Sequence, residues 1–193
     1  ADTLAGLAPG QWGETSLCGG WSVHVTAGHI LVAAEQTPAR FMKGLAASGF
    51  RFNTMVERDA RVYGALPPAE IIERLRARLT TTNHPPAPVM AMLGEIVVHS
   101  EDIRRPLGLQ GETNPEAVVA CLEMYSQGNF PVGGKKRIAG LRVMGADVGW
   151  SHGDGPEVSG PGMSLLLAMT GRPAGLAELE GVGVGVLRSR VAA

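Results

Sequence analysis

A carboxylate and an imidazole stand four residues apart in the stretch Gly94-Glu95-Ile96-Val97-Val98-His99-Ser100-Glu101-Asp102. On a helix that spacing puts Glu95 and His99 on one face, with their Cβ atoms roughly 5–6 Å apart. Met90, Met92, Leu93, Ile96, Val97, Val98 and Ile103 surround the pair with apolar side chains. An ionised carboxylate in such surroundings is costly unless it is neutralised or paired. A divalent cation held by both side chains would remove that cost. A plain Glu–His hydrogen bond, or a helix face partly open to water, would remove it too, and the pair alone reads more simply that way. A metal needs a third ligand from elsewhere in the chain. Far from that stretch in sequence, Val25, Thr26, Val32 and Ala33 neighbour His29 at helical spacing, which turns it inward. Taken alone, it too reads more simply, as a buried neutral imidazole bonded to a carbonyl or hydroxyl.

The elements that must position these groups follow from the punctuation of the chain. Pro86 and Pro88 precede a helix over about Val89–Arg105, and Pro106 cannot continue it. Apolar residues cover almost every side of that helix, which makes it central and buried. Ser22 is a good N-cap for a helix from Val23 to about Glu35. His24 falls off its inner face and is expected in solvent. Pro38 interrupts, Arg40–Ala47 continues as helix, and Ser48–Phe52 is a loop before a helix through Asn53–Arg58. Pro67-Pro68-Ala69-Glu70 opens an amphipathic helix with Ile71, Ile72, Leu75 and Leu79 inward. Glu73, Arg74, Arg76 and Arg78 form its solvated face, and Thr80–Pro88 is a loop in which His84 is incidental. Helices joined by loops, with no strand pattern, pack as a bundle.

The pattern changes further on. Pro115 opens a helix to about Gln127, and Gly128–Lys136 reads as a linker. Arg137–Ala146 suggests a strand with period-two alternation in its second part. Trp150–Pro156 is a turn-rich loop and Glu157–Ser159 a short second strand. Pro161 starts an apolar helix through Met169, with Gly171 as its stop. Ala177–Arg190 is expected as a last helix, weakened by Gly181, Gly183 and Gly185. That glycine run has neither the preceding strand nor the following helix of a phosphate-binding loop. His152, Asp154 and Glu157 could form a second metal cluster, although a plain turn describes them better. The expected fold class is mainly α: a four-helix bundle over residues 1–130, its first helix truncated, then a small α+β domain over residues 137–193.

The 193 residues are 45 % hydrophobic and 18 % charged, with net charge −1. Nothing in that balance points to nucleic acid or an anionic membrane as partner. The longest mostly apolar run, Ala87–Val98, is too short to span a bilayer. Cys18 and Cys121 read as two free thiols of a reducing cytoplasm. Cys18 sits beside two glycines before a helix, which gives some thiolate bias, but an inert buried thiol is the stronger reading. Ala1–Leu7 looks like the end of an amphipathic helix whose start is missing.

Three blocks together resemble the actinobacterial family of mycothiol-dependent maleylpyruvate isomerases, relatives of the DinB-like metal-binding bundles. The first is Ser16-Leu17-Cys18-Gly19-Gly20-Trp21-Ser22-Val23, with His29 eight residues after the Trp. The second is Gly94-Glu95 through His99 to Glu101-Asp102-Ile103-Arg104-Arg105-Pro106-Leu107-Gly108. The third is Asp147 through Trp150-Ser151-His152-Gly153-Asp154-Gly155-Pro156-Glu157-Val158, then Gly160-Pro161 and the Leu-rich helix ending Thr170-Gly171-Arg172. The likeness covers nearly the whole chain. It departs at Val25, where the family often has an acidic residue, and at His24 beside it.

The resemblance implies an N-terminal up-down bundle, a C-terminal domain resembling sterol-carrier folds, and a metal held by an early His and a later Glu and His. Those positions match His29, Glu95 and His99, which it thereby implies as the metal-binding and catalytic residues. A His₂Glu set with open positions is the pattern of a catalytic zinc; nickel, manganese and iron also suit N and O donors. The implied cofactor besides the metal is mycothiol or a similar low-molecular-weight thiol, and the implied partner a small electrophilic substrate. The implied reaction is a cis–trans isomerisation or an S-transfer. Asp102, three residues after His99, is a plausible support for it. Arg104 and Arg105 point off the ligand face and suit a helix C-terminus. Two other readings stay open: a metal-dependent hydrolase using the same site, and a non-enzymatic protein binding a small molecule or lipid. A monomer or a homodimer in the cytoplasm is expected.

Overall fold

The computed structural model describes residues 1–81, 84–86 and 88–191. They divide into two compact units, Ala1–Gly111 and Glu112–Ala193. The loop expected over Thr80–Pro88 includes Thr82, Asn83 and Ala87, which lie outside the described residues.

Among the described residues, the first unit is made of helices and loops with one isolated bridge. Helix α1 (Asp2–Ala5) and a 3₁₀ turn over Pro9–Gly13 lead into a tight loop closed by an antiparallel bridge between Thr15 and Ser22. Within that loop Ser16 N–H donates to the Trp21 carbonyl and Trp21 N–H to the Cys18 carbonyl, both at 3.0 Å. Ser22 then caps α2 (Val23–Glu35), its hydroxyl accepting from Val25 N–H as its residue type foretells. Thr37 caps α3 (Pro38–Ala47) in the same way. Helices α4 (Phe52–Tyr63), α5 (Pro68–Arg76) and α6 (Val89–Arg104) complete the unit.

Helix α2 is the axis on which α4, α5 and α6 pack. Its Val23, Ala27, Ile30 and Leu31 join Leu4, Trp12, Ile71, Leu75 and Ile103 in one buried cluster. Full burial of a side chain such as Leu31 or Ile71 contributes roughly 1.5–3 kcal/mol. Gly28 lets α2 approach the end of α4 at backbone contact: a Cβ there would stand 2.3 Å from the Gly64 nitrogen. A Cβ on Gly64 would in turn meet the Val25 Cα at 2.8 Å.

Several expectations change. Leu79 does not face inward: α5 ends at Arg76 and Leu79 is 77 % exposed in the turn beyond it. Helix α6 is not covered all round, since Val89, Met90 and Ile96 are exposed while Val97, Val98 and Ile103 are buried. Nor is the charged face of α5 simply solvated. Glu35, at the end of α2, is buried, and Arg74 binds it in fork geometry, Nε to Oε1 at 3.0 Å and Nη2 to Oε2 at 2.6 Å. Tyr63 donates to the same carboxylate at 3.2 Å, and Arg40 adds a bond to the Glu35 carbonyl at 3.1 Å. A buried carboxylate needs such partners, and they draw Arg74 back over the helix. His24 is likewise not free in solvent: its Nε2–H donates to the Leu66 carbonyl at 2.8 Å and its ring meets the edge of Trp12.

In the second unit, α7 (Pro115–Gln127) packs on α9 (Gly162–Met169) and on a short helix α8 (Gly134–Ile138). The unit therefore begins before α7 rather than in the Gly/Pro-rich stretch after it, and part of that stretch is helix, not linker. The strand expected over Arg137–Ala146 contracts to its alternating half, β1 (Arg142–Gly145). The turn-rich loop holds a strand of its own, β2 (Trp150–His152), and β3 (Glu157–Gly160) follows. The order is β2-β1-β3, with β2 antiparallel and β3 parallel to β1, and Val143 opposite both His152 and Val158. Leu165, Leu166, Leu167, Ala168 and Met169 of α9 are fully buried and fill the core of the unit. The expected last helix starts late, as α10 (Val184–Val191). Before it come a 3₁₀ turn over Pro173–Glu178 and a bridge from Glu180 to Ser159. Gly181, at φ +108°, turns the chain against the Glu157 carbonyl, where a side chain would clash, so no helix can run through it. No helix of the described residues is long and apolar enough to cross a membrane.

Candidate functional site

Three elements of the first unit meet around His99: α2, α6 and the loop before α2. His29 Nε2–H donates to Glu95 Oε2 at 2.7 Å, and His99 Nε2 stands 3.2 Å from the same oxygen. The donor atoms of His29, Glu95 and His99 lie within 4.8 Å of one another. The two imidazoles meet edge to face, their centroids 4.8 Å apart. Behind His99, one helical turn on, its Nδ1–H donates to Asp102 Oδ2 at 2.7 Å. Asp102 is completely buried, and its carbonyl accepts the Leu17 N–H at 3.0 Å, which ties the Cys18 loop to α6. His29 has no such support: its Nδ1 is buried and without a hydrogen-bond partner among the described residues.

The electrostatics follow from this packing. Burial opposes the ionisation of Glu95, but hydrogen bonds from His29 and His99 outweigh it and hold the carboxyl far below the usual range. Burial also opposes charge on His99, yet the Asp102 and Glu95 carboxylates prevail and raise its pKa to about 8. The site is thus an anionic oxygen between two imidazole nitrogens.

Trp21 walls one side. Its indole lies 5.1 Å from the His29 ring and stacks 6.5 Å from the His99 ring, and its Nε1–H donates to Glu57 Oε2 at 2.7 Å. Glu57 was not singled out in the sequence, since only the chain's return through α4 brings it to Trp21. Cys18 is half-buried rather than buried, and its sulfur falls within 4.8 Å of donor atoms of both His99 and Asp102. The quoted Ser16–Val23 block held that information without its geometry. Arg104, in the last turn of α6, and Arg105 just beyond it both bind Glu101, at 2.6 and 2.9 Å. Among the described residues, His152, Asp154 and Glu157 do not come together as a donor set; the His152 ring stacks on Trp150. Cys121 is buried in apolar surroundings that push its thiol up to about 11, which makes it inert.

The donor set has the composition a divalent ion takes: two imidazole nitrogens and one carboxylate oxygen, one imidazole braced by a buried carboxylate. Residues 1–84 match the family model of the mycothiol maleylpyruvate isomerase N-terminal domain. Two solved structures are similar over 94 % of this chain and 86 % of theirs. One is a histidine-to-alanine mutant of the mycothiol-dependent maleylpyruvate isomerase, with 14 % identity and a TM-score of 0.60. The other is the mycothiol-dependent maleylpyruvate isomerase, with 12 % identity and a TM-score of 0.56. At that identity the likeness is one of fold. No curated protein matches the chain.

Proposed function

We propose that the protein is an enzyme joining a low-molecular-weight thiol to a small electrophilic substrate at a divalent metal held by His29, Glu95 and His99, a reading supported by the match of residues 1–84 to the mycothiol maleylpyruvate isomerase N-terminal domain model. The observation that carries this reading is the convergence of those three donors, with Asp102 bracing one of them. A bound divalent ion supplies positive charge and lowers the pKa of a thiol or water beside it.

The chain's own residues supply the rest. Glu95 is anionic across the physiological range and balances part of the ion's charge. Asp102 fixes the His99 ring so that Nε2, not Nδ1, faces Glu95. Trp21 covers both imidazoles and keeps water from one side of the site. In the isomerase form of the reaction, a thiolate adds to the cis double bond of an α-keto diacid such as maleylpyruvate. The resulting single bond rotates, and elimination of the thiol leaves the trans isomer. In the transferase form the thioether is the product.

The test is a metal analysis of the purified protein, followed by calorimetry of thiol binding with and without metal. One equivalent of zinc or a similar ion is expected, lost on replacing Glu95 by Gln, with thiol binding only to the loaded form. Absence of metal together with an unchanged melting temperature in chelator would overturn the proposal.

A further inference from the structure

His99 belongs to two donor sets. Besides the set with His29 and Glu95, the donor atoms of Cys18, His99 and Asp102 lie within 4.8 Å of one another. The second set differs in chemistry. It offers a thiol, an imidazole and a carboxylate, and soft thiolate ligands select zinc, cadmium or copper(I) over hard ions such as magnesium. Its Asp102 carboxylate is fully buried and His99 is nearly so. A tetrahedral ion with a metal–sulfur bond of about 2.3 Å and metal–nitrogen and metal–oxygen bonds of about 2.0–2.2 Å holds its donors roughly 3.3–3.8 Å apart. With donors already within 4.8 Å of one another, closing to that value takes at most about 1.5 Å of movement in the Cys18 loop or in side-chain rotamers. The loop is local and small, with Ser16 Oγ accepting the Cys18 N–H at 3.2 Å and glycines at 19 and 20 following it.

We propose that Cys18, His99 and Asp102 form a second metal-binding set that takes a thiophilic ion, and that it competes with the His29–Glu95–His99 set for the shared imidazole. On binding, the Cys18 thiol proton and the His99 Nδ1 proton that now faces Asp102 are both released to solvent, and sulfur–metal and nitrogen–metal bonds replace the sulfur–hydrogen and nitrogen–hydrogen bonds. The ion also draws Asp102 away from its hydrogen bond with His99, so that one imidazole cannot be braced for the first set while it serves the second. This inference concerns thiophilic ions at Cys18 and does not need the first set to hold a metal.

Cadmium is the probe. Cys121 is replaced by Ala so that one thiol remains, and the full chain is titrated with Cd²⁺ in the absence of other thiols. The expected result is a thiolate-to-cadmium charge-transfer band in the ultraviolet that saturates at one ion per chain. Alkylation of Cys18 by iodoacetamide slows at least tenfold in parallel. Cys18→Ser abolishes the band, Asp102→Asn weakens Cd²⁺ binding at least tenfold, and His29→Ala leaves both band and protection in place. Protection from alkylation is read on the native Cys18 chain, so it stands even if a Cys18 or Asp102 variant folds poorly. A band that is absent, that survives Cys18→Ser, or that vanishes in His29→Ala would overturn the inference. The last outcome would mean that Cys18 and His29 share one ion instead of belonging to competing sets; the metal content of Glu95→Gln, which reads the first set alone, keeps failure of this inference distinct from failure of the proposed function.

Discussion

His99 gives its Nδ1–H to the buried Asp102 at 2.7 Å, whereas the matching nitrogen of His29 is buried with no partner among the described residues. The two histidines are therefore held by different means: His99 by a hydrogen bond, His29 by packing against Trp21 and by its bond to Glu95. A ligand braced through its second nitrogen has a fixed tautomer and a more basic donor atom.

Replacing Asp102 by Asn removes that brace and keeps the shape. Metal affinity, measured by competition with a chromophoric chelator, is expected to fall about 10–100-fold. The melting temperature of the chelated protein should change much less. Equal affinity in both proteins would mean that Asp102 does not orient His99.

The Glu35 cluster sets an acid limit on the first unit. Burial opposes ionisation of Glu35, but Arg74, Tyr63 and Arg40 outweigh it and lower its pKa. A depressed folded value means the contribution is complete above the unfolded carboxyl range, near about 4.3, and is lost as pH falls through the folded value. Thermal melts from pH 7 downward should show this loss in the native chain and a flatter profile in Glu35→Gln. Arg74→Ala, which leaves the carboxylate buried and poorly matched, should cost about 2 kcal/mol at pH 7, less than a fully buried pair because Arg74 is partly exposed.

Gly28→Ala forces a methyl group into the Gly64 backbone, where no flexible atom can yield. Overpacking of this kind costs about 1–3 kcal/mol or more. Urea denaturation should show that loss, and because His29 is the next residue, metal affinity should drop with it. An alanine at Gly10, where a Cβ meets nothing within 4 Å, is the control and should do neither.

In the second unit, Asp147 Oδ1 accepts the Gly162 N–H at 2.6 Å and satisfies one of the free amides at the start of α9. Asp147→Ala should lower stability by about 1 kcal/mol, measured by urea denaturation followed by circular dichroism. Metal affinity should be unchanged.

Much of this architecture was legible from residue types. Ser22 and Thr37 mark helix starts because their hydroxyls can take an orphan amide, and Pro115 marks another because a missing N–H costs nothing there. The approach of His29 to Glu95 was not a matter of spacing. The residues are 66 positions apart, and only the resemblance linked them. Local pattern failed where a distant partner decides. Arg74 looks solvated until Glu35 is brought beneath it, Leu79 looks buried until α5 ends three residues early, and Trp150–His152 looks like a turn until β1 pairs with it. Gly181 lowers helix propensity in any reading, but its clash with the Glu157 carbonyl is a tertiary fact.

Each of the three tryptophans stands beside an imidazole: Trp12 at 5.0 Å from His24, Trp21 at 5.1 Å from His29 and Trp150 at 6.0 Å from His152. Indole emission is sensitive to the charge state and occupancy of a ring at that range. With Trp12 and Trp150 changed to Phe, the remaining fluorophore is a built-in optical gauge of the His29–His99 pair, readable in solution without any added dye.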